Sequence, residues 1–104
     1  ILNELHQKGK PFFSTFMTTS DHGPFYIPPY FHPKSSKIKQ QIVEYADWSL
    51  GQFIITASKQ DWFDNTIFVF VADHGAAIDV QYPIALNYHH SPLLFYAPKL
   101  LKPK

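Results

Sequence analysis

The chain has 104 residues, 45% hydrophobic and 16% charged, with a formal charge of +1 when its histidines are neutral, a globular composition with room for one modest core. It contains no cysteine, which excludes a disulfide scaffold, a thiolate metal site and a cysteine nucleophile within the chain. Its ten Phe, six Tyr and two Trp alternate with no basic stripe, which argues against nucleic acid as a partner, and the longest apolar run, Ile67–Ala72, falls far short of the ~20 residues that span a bilayer.

The first ten residues, ILNELHQKGK, read as the end of a helix with Ile1, Leu2 and Leu5 on one face, followed by a loop. No stretch reads as a signal peptide, and the chain does not start with Met. The expectation is therefore a piece of a longer protein. Pro11–Ser20 is apolar and β-branched, which predicts a strand. Asp21–Pro33 holds four prolines and a glycine, and proline both fixes φ and removes a backbone donor, so this stretch is expected to be an irregular loop. Ser35 or Ser36 is placed to cap the element that follows.

From Ile38 to about Lys59 the pattern turns helical. Ile38, Ile42, Tyr45, Ala46, Ser49, Leu50, Phe53, Ile54 and Ala57 recur at steps of three and four, while most of the charged and amide side chains fall off that stripe. Gly51 interrupts it at a cost of about 1 kcal/mol relative to Ala, and close packing against a neighbouring element is the expected reason. Gln60–Asn65 reads as a polar-aromatic turn, and Thr66–Ala72 as a strand covered on both faces, as in a parallel sheet. Strand, helix and strand make one right-handed βαβ unit. Ser91–Pro98 reads as a third short strand, so the chain is α/β.

A buried strand gains nothing from the Asp73-His74-Gly75 at its tip, but a metal site would. In open parallel sheets ligands bind at the carboxyl ends of strands. Gly75 adopts φ values denied to other residues, so the turn through it can bring both side chains to one point. A carboxylate oxygen and an imidazole nitrogen together suit zinc or manganese, although zinc takes about four donors and the rest must come from elsewhere. The plainer alternative is an Asp that caps a turn beside a surface His. His22 follows the first predicted strand, on the same expected rim; it could donate to an anionic substrate oxygen or act as a general acid, or it could pack on Phe25 or Tyr26. His89 and His90 precede the third strand. If that strand is parallel they lie away from the rim, in a structural or surface role.

With these residues assembled, KPFFSTFMTTSDHGPF, VEYADWSLGQFIITASKQDWFDNTIFVFVADHG and SPLLFYAP resemble the sulfatase family of the alkaline phosphatase superfamily. Among its branches they look most like the lipoteichoic acid synthases and bacterial phosphoglycerol transferases. The resemblance runs from Lys10 to Pro98. It implies a parallel-sheet βαβ fragment of an alkaline-phosphatase-like three-layer domain, taken from its C-terminal portion. It also implies a complete protein that hydrolyses or transfers phosphate or sulfate esters with a divalent metal, manganese or zinc, with calcium or magnesium as alternatives. Asp73 and His74 match the family's late metal-ligand pair, and His22 matches a substrate-contacting histidine.

The family's nucleophile, at a helix start well upstream, has no counterpart here, so no catalytic nucleophile is assigned and the chain by itself is expected to be inactive. Asp47, in the Y-x-D-x-x-L-G-x-F motif, is expected to form a structural hydrogen bond near a strand end. After Gly75 the polar stretch usual in the family is short. The resemblance further implies an extracytoplasmic location. Exposed sheet edges and an uncovered apolar face lead to an expectation of self-association. The competing reading is a non-catalytic small α/β module that binds a partner or simply packs.

Overall fold

The computed structural model describes residues 1–19, 22–75 and 86–102, with the side chain of Asn87 left out. The chain divides into two compact units, Ile1–Asp61 and Trp62–Lys104. Each is taken by itself below.

The first unit opens with α1, Leu2–Gln7. It stops at Gly9, whose φ of 66° is left-handed and whose N–H returns to the His6 carbonyl at 2.9 Å, as a glycine beyond a helix end does. Residues 11–19 form no strand. Their β-propensity is real, but propensity measures fit to a pleated, half-buried surface. Among the described residues the sheet contains no ladder for them to join, and Phe13, Phe16 and Met17 are exposed. The predicted βαβ unit therefore lacks its first strand in the described residues. Residues 22–37 carry neither helix nor strand and include a cis Gly23–Pro24 bond; the proline-rich loop is as expected.

The long helix, α2, runs Ile38–Ala57, two residues short of the predicted end. The predicted stripe is inward in part: Ile42 and Ala57 are buried, and Tyr45, Ala46, Ser49 and Ile54 are half-buried, whereas Ile38, Leu50 and Phe53 are exposed. The helix is capped by neither serine. Its N-cap is Lys37, with no side-chain bond, because Ser35 is engaged elsewhere. The Ser35 hydroxyl and the N–H groups of Lys34 (2.6 Å) and Ser35 (3.0 Å) all donate to the Glu44 carboxylate. Gln41 Nε2 donates to the Ser35 carbonyl at 2.8 Å. Two side chains of α2 thus staple the incoming loop one to two turns along the helix. Alongside, Tyr30 and Phe31 pack on Tyr45 and Trp48 with ring centroids 5.2–6.4 Å apart, within the range of favourable aromatic pairs. The Tyr30 and Tyr45 hydroxyls hydrogen-bond at 2.8 Å, which raises the Tyr30 phenol above its ordinary value.

Gly51 is not a close-packing glycine. A Cβ added there would meet nothing within 4 Å. Asp47 does not meet its expectation either: its side chain is exposed and makes no hydrogen bond among the described residues.

The second unit begins with Trp62 and the 3-10 turn Phe63–Asn65. Thr66 Oγ1 donates to the Trp62 carbonyl at 2.6 Å and closes this turn. β1, Phe68–Val71, follows, and α3, Leu86–His89, leads into β2, Leu93–Tyr96. The two strands pair antiparallel, Phe68 opposite Tyr96 and Val71 opposite Leu93. The α/β class holds, with helices and a small sheet, but the described strand pair is not parallel. Nor is β1 covered on both faces. Phe68 is buried and Phe70 half-buried, whereas Val69 and Val71 are exposed, because only one face has aromatic cover among the described residues. There Trp62, Phe63 and Tyr96 ring Phe68 at centroid distances of 5.3–6.4 Å. Trp62, Phe63 and Phe68 are the buried aromatic core, each contributing on the order of 1.5–3 kcal/mol of burial.

Candidate functional site

Antiparallel pairing decides what meets at the tip of β1. The carboxyl end of β1 lies beside the amino end of β2. Residues just after Val71 and residues just before Leu93 therefore share one end of the hairpin. This corrects the placement of His89 and His90 away from the rim, which followed from a parallel third strand.

Asp73 and His74 stand at that end as predicted, both exposed, the Asp73 side chain at 88% and His74 at 49%. One carboxylate oxygen of Asp73 accepts the His74 N–H at 3.0 Å. That bond is the turn-capping role of the plainer reading, and it engages only Oδ1. The other oxygen, Oδ2, faces His74 Nε2 at 3.7 Å. His74 Nδ1 lies 2.8 Å from the Gly75 carbonyl. A carbonyl can only accept, so Nδ1 carries the proton, and the neutral ring leaves a lone pair on Nε2. In the neutral ring the Nε2 lone pair faces Oδ2 across 3.7 Å with open access to solvent; in the protonated ring the same contact is an ion pair. Metal bonds of about 2.0–2.2 Å at tetrahedral angles set neighbouring ligand atoms about 3.4 Å apart. The donor set and its spacing fit a divalent cation. No group of three or more His, Asp or Glu able to hold a metal gathers among the described residues, so the pair by itself offers two of the about four donors that zinc takes.

Sequence reasoning missed Tyr88. Its ring stacks on the His74 imidazole at 4.6 Å and 24°, and its carbonyl accepts the Gly75 N–H at 2.7 Å. Next to it, His89 meets the Tyr88 ring edge-on at 5.5 Å. The signal that would have found this contact is strand polarity, which short apolar runs do not carry. His22 belongs to the first unit and is exposed. Its Nδ1 bonds the Gly23 carbonyl at 2.8 Å, the same local device as at His74, and this too leaves Nε2 as the available nitrogen. Its neighbour Asp21 lies outside the described residues.

Helices with a small sheet place the chain with folds of the alkaline phosphatase superfamily. A crystal structure of a protein of that superfamily from Vibrio parahaemolyticus superposes on 92% of this chain with a TM-score of 0.78 and 31% sequence identity. An N-acetylgalactosamine-6-O-sulfatase from Bacteroides thetaiotaomicron is 33% identical over 76 residues, 72% of this chain. The sulfatase family model matches residues 1–104, and the chain belongs to the sulfatase family. It spans 15% of the length of the Bacteroides relative and 24% of the Vibrio chain.

Proposed function

We propose that this chain supplies part of the active site of a sulfate- or phosphate-ester hydrolase or transferase, with Asp73 and His74 as metal ligands and His22 as a donor to an anionic oxygen of the ester. Membership of the sulfatase family supports ester chemistry of this type, and members of the family are generally metal-dependent. One observation supports the assignment of residues: Nε2 of His74 and Oδ2 of Asp73 lie 3.7 Å apart, with Nδ1 committed to the Gly75 carbonyl, so that the neutral ring offers Nε2 as a donor beside the carboxylate.

When bound, a divalent metal activates a hydroxyl nucleophile and neutralises charge that builds on the ester oxygens. Asp73 contributes the negative charge that holds the cation. His74 contributes a neutral nitrogen whose direction is set by its Nδ1–H bond. His22, whose Nδ1–H is held by the Gly23 carbonyl, donates to the tetrahedral oxyanion from Nε2–H in its protonated form. The nucleophile is assigned to sequence outside this chain, which on this reading is the C-terminal portion of the catalytic domain. The Y-x-D-x-x-L-G-x-F helix, the N-T-I run that ends in Asp73-His74-Gly75 and the P-L-L-F-Y-A-P strand, taken together, support the phosphoglycerol-transferase-like branch. Manganese or zinc suits the donor pair best, with calcium or magnesium as alternatives. An extracytoplasmic location follows the habit of sulfatase homologues. Among the described residues no helix is long and apolar enough to cross a membrane.

The test uses the complete reading frame that encodes residue 1 and chromogenic sulfate and phosphate monoesters. Asp73→Ala and His74→Ala are expected to reduce turnover to the blank, and His22→Gln to reduce it while leaving metal content unchanged. Full activity in Asp73→Ala would remove the metal assignment. The isolated 104-residue chain is expected to show no esterase activity above a metal-only blank. Activity there, lost in Asp73→Ala, would refute the placement of the nucleophile.

A further inference from the structure

We propose that Tyr88 is the positioning residue of the metal half-site. It holds the His74 imidazole in the one orientation and tautomer in which Nε2 faces Asp73. The part of this inference that concerns metal rests on the reading above, whereas the part that concerns His74 stands without it.

Three contacts run in series. The Tyr88 carbonyl accepts the Gly75 N–H at 2.7 Å. The Gly75 carbonyl accepts His74 Nδ1–H at 2.8 Å. The Tyr88 ring covers one face of the imidazole at 4.6 Å and 24°. The first bond anchors the His74–Gly75 peptide beside Tyr88, one residue's rotation away from the carbonyl that Nδ1 reaches. The second selects the Nδ1–H tautomer. The third sets the plane of the ring, which the Nδ1 bond alone leaves free to tilt. An exposed histidine otherwise samples several rotamers and both tautomers, and each wrong state subtracts from metal affinity. Tyr88 itself touches no ligand position: the nitrogen it leaves open is Nε2, 3.7 Å from Asp73 Oδ2. Removing groups that orient a metal-binding histidine typically weakens metal affinity by about 10–100-fold.

The Tyr88 side chain and its carbonyl are separable by mutation. Tyr88→Leu removes the aromatic face and keeps the backbone acceptor. Tyr88→Phe keeps the face and removes only the hydroxyl, which takes part in none of the three contacts. The first readout is made without metal, by long-range proton–nitrogen NMR of the His74 ring in the 104-residue chain. Wild type and Tyr88→Phe are expected to show a dominant Nδ1–H tautomer and ring protons shifted upfield by the stacked tyrosine or phenylalanine. Tyr88→Leu is expected to show tautomer averaging and no such shift. The second readout is Mn²⁺ affinity from water-proton relaxation, expected to fall about tenfold in Tyr88→Leu and to stay within about twofold in Tyr88→Phe.

Tautomer and affinity both unchanged in Tyr88→Leu would overturn the proposal. So would a loss in Tyr88→Phe as large as that in Tyr88→Leu, since it would assign the effect to the hydroxyl. If wild type binds no Mn²⁺ but the metal-free spectra behave as expected, the metal reading fails and the positioning of His74 by Tyr88 stands.

Discussion

Gly51→Ala is expected to stabilise the chain, and its sign separates two physical accounts of the same residue. Gly51 sits inside α2 with no left-handed φ, and a Cβ added to it would have no atom within 4 Å. Alanine there forfeits no contact and creates no overlap. What changes is backbone entropy: glycine in a helix interior is about 0.8–1.0 kcal/mol less favourable than alanine. If Gly51 instead served close packing, as its place in an apolar stripe suggests, the added methyl would overpack and cost roughly 1–3 kcal/mol. In a unit of the size of Ile1–Asp61, a gain of about 1 kcal/mol raises Tm by roughly 4–8 °C. The assay is thermal unfolding followed by far-ultraviolet circular dichroism, where α2 dominates the signal, with Gln52→Gly at the exposed neighbouring position as a calibrating loss of slightly less than about 1 kcal/mol. A Tm that falls in Gly51→Ala while Gln52→Gly behaves as expected would refute the reasoning and place a partner against that face of the helix.

The Glu44 staple should make the first unit acid-sensitive. The Ser35 hydroxyl bond, followed by the Lys34 N–H bond, holds the Glu44 carboxyl below its ordinary value of 4.5. A carboxyl depressed on folding contributes stability that is present above its unfolded pKa and is lost as pH falls through the lower, folded value. Acid unfolding below about pH 4.5 should therefore flatten in Glu44→Gln, and equal pH profiles for the two proteins would count against the staple. Phe68→Ala removes the centre of the aromatic core in the second unit and should cost about 3–5 kcal/mol, seen as loss of amide protection in Phe68–Val71 and Leu93–Tyr96; unchanged protection would show that the cluster does not hold the hairpin. Leu93, Leu94 and Phe95 are each more than half exposed on a sheet that has two strands among the described residues, so light scattering should detect self-association at high concentration, and a clean monomer would argue against it.

The helix was legible in the sequence because twenty residues of α2 repeat one apolar period, and a long period survives local exceptions. The tip of β1 was legible because a carboxylate and an imidazole after an apolar run have few structural uses. What the sequence did not carry was pairing. Pro11–Ser20 has strand propensity, yet residues 11–19 join no ladder among the described residues, since a strand is made by its neighbour as much as by its own side chains. The same gap hid the antiparallel register and with it Tyr88. Ser35 shows a smaller version. Its residue type suggested a helix cap, but a carboxylate two turns into the helix is a stronger acceptor than backbone groups are donors, and the serine turns to Glu44 instead. The expected rim shared by His22 with Asp73 and His74 rested on the βαβ unit, and His22 falls in the other compact unit.

The most direct test of the central claim is a Mn²⁺ titration of the isotope-labelled chain followed by paramagnetic line broadening. It detects binding too weak for calorimetry, as a half-site requires. The account predicts that the resonances of Asp73, His74 and Gly75 broaden first, at low metal, and that this early broadening disappears in Asp73→Ala/His74→Ala. Uniform broadening over exposed carboxylates such as Glu4, Asp61 and Asp64, with no preference for Asp73–His74 and no change in the double variant, would contradict it.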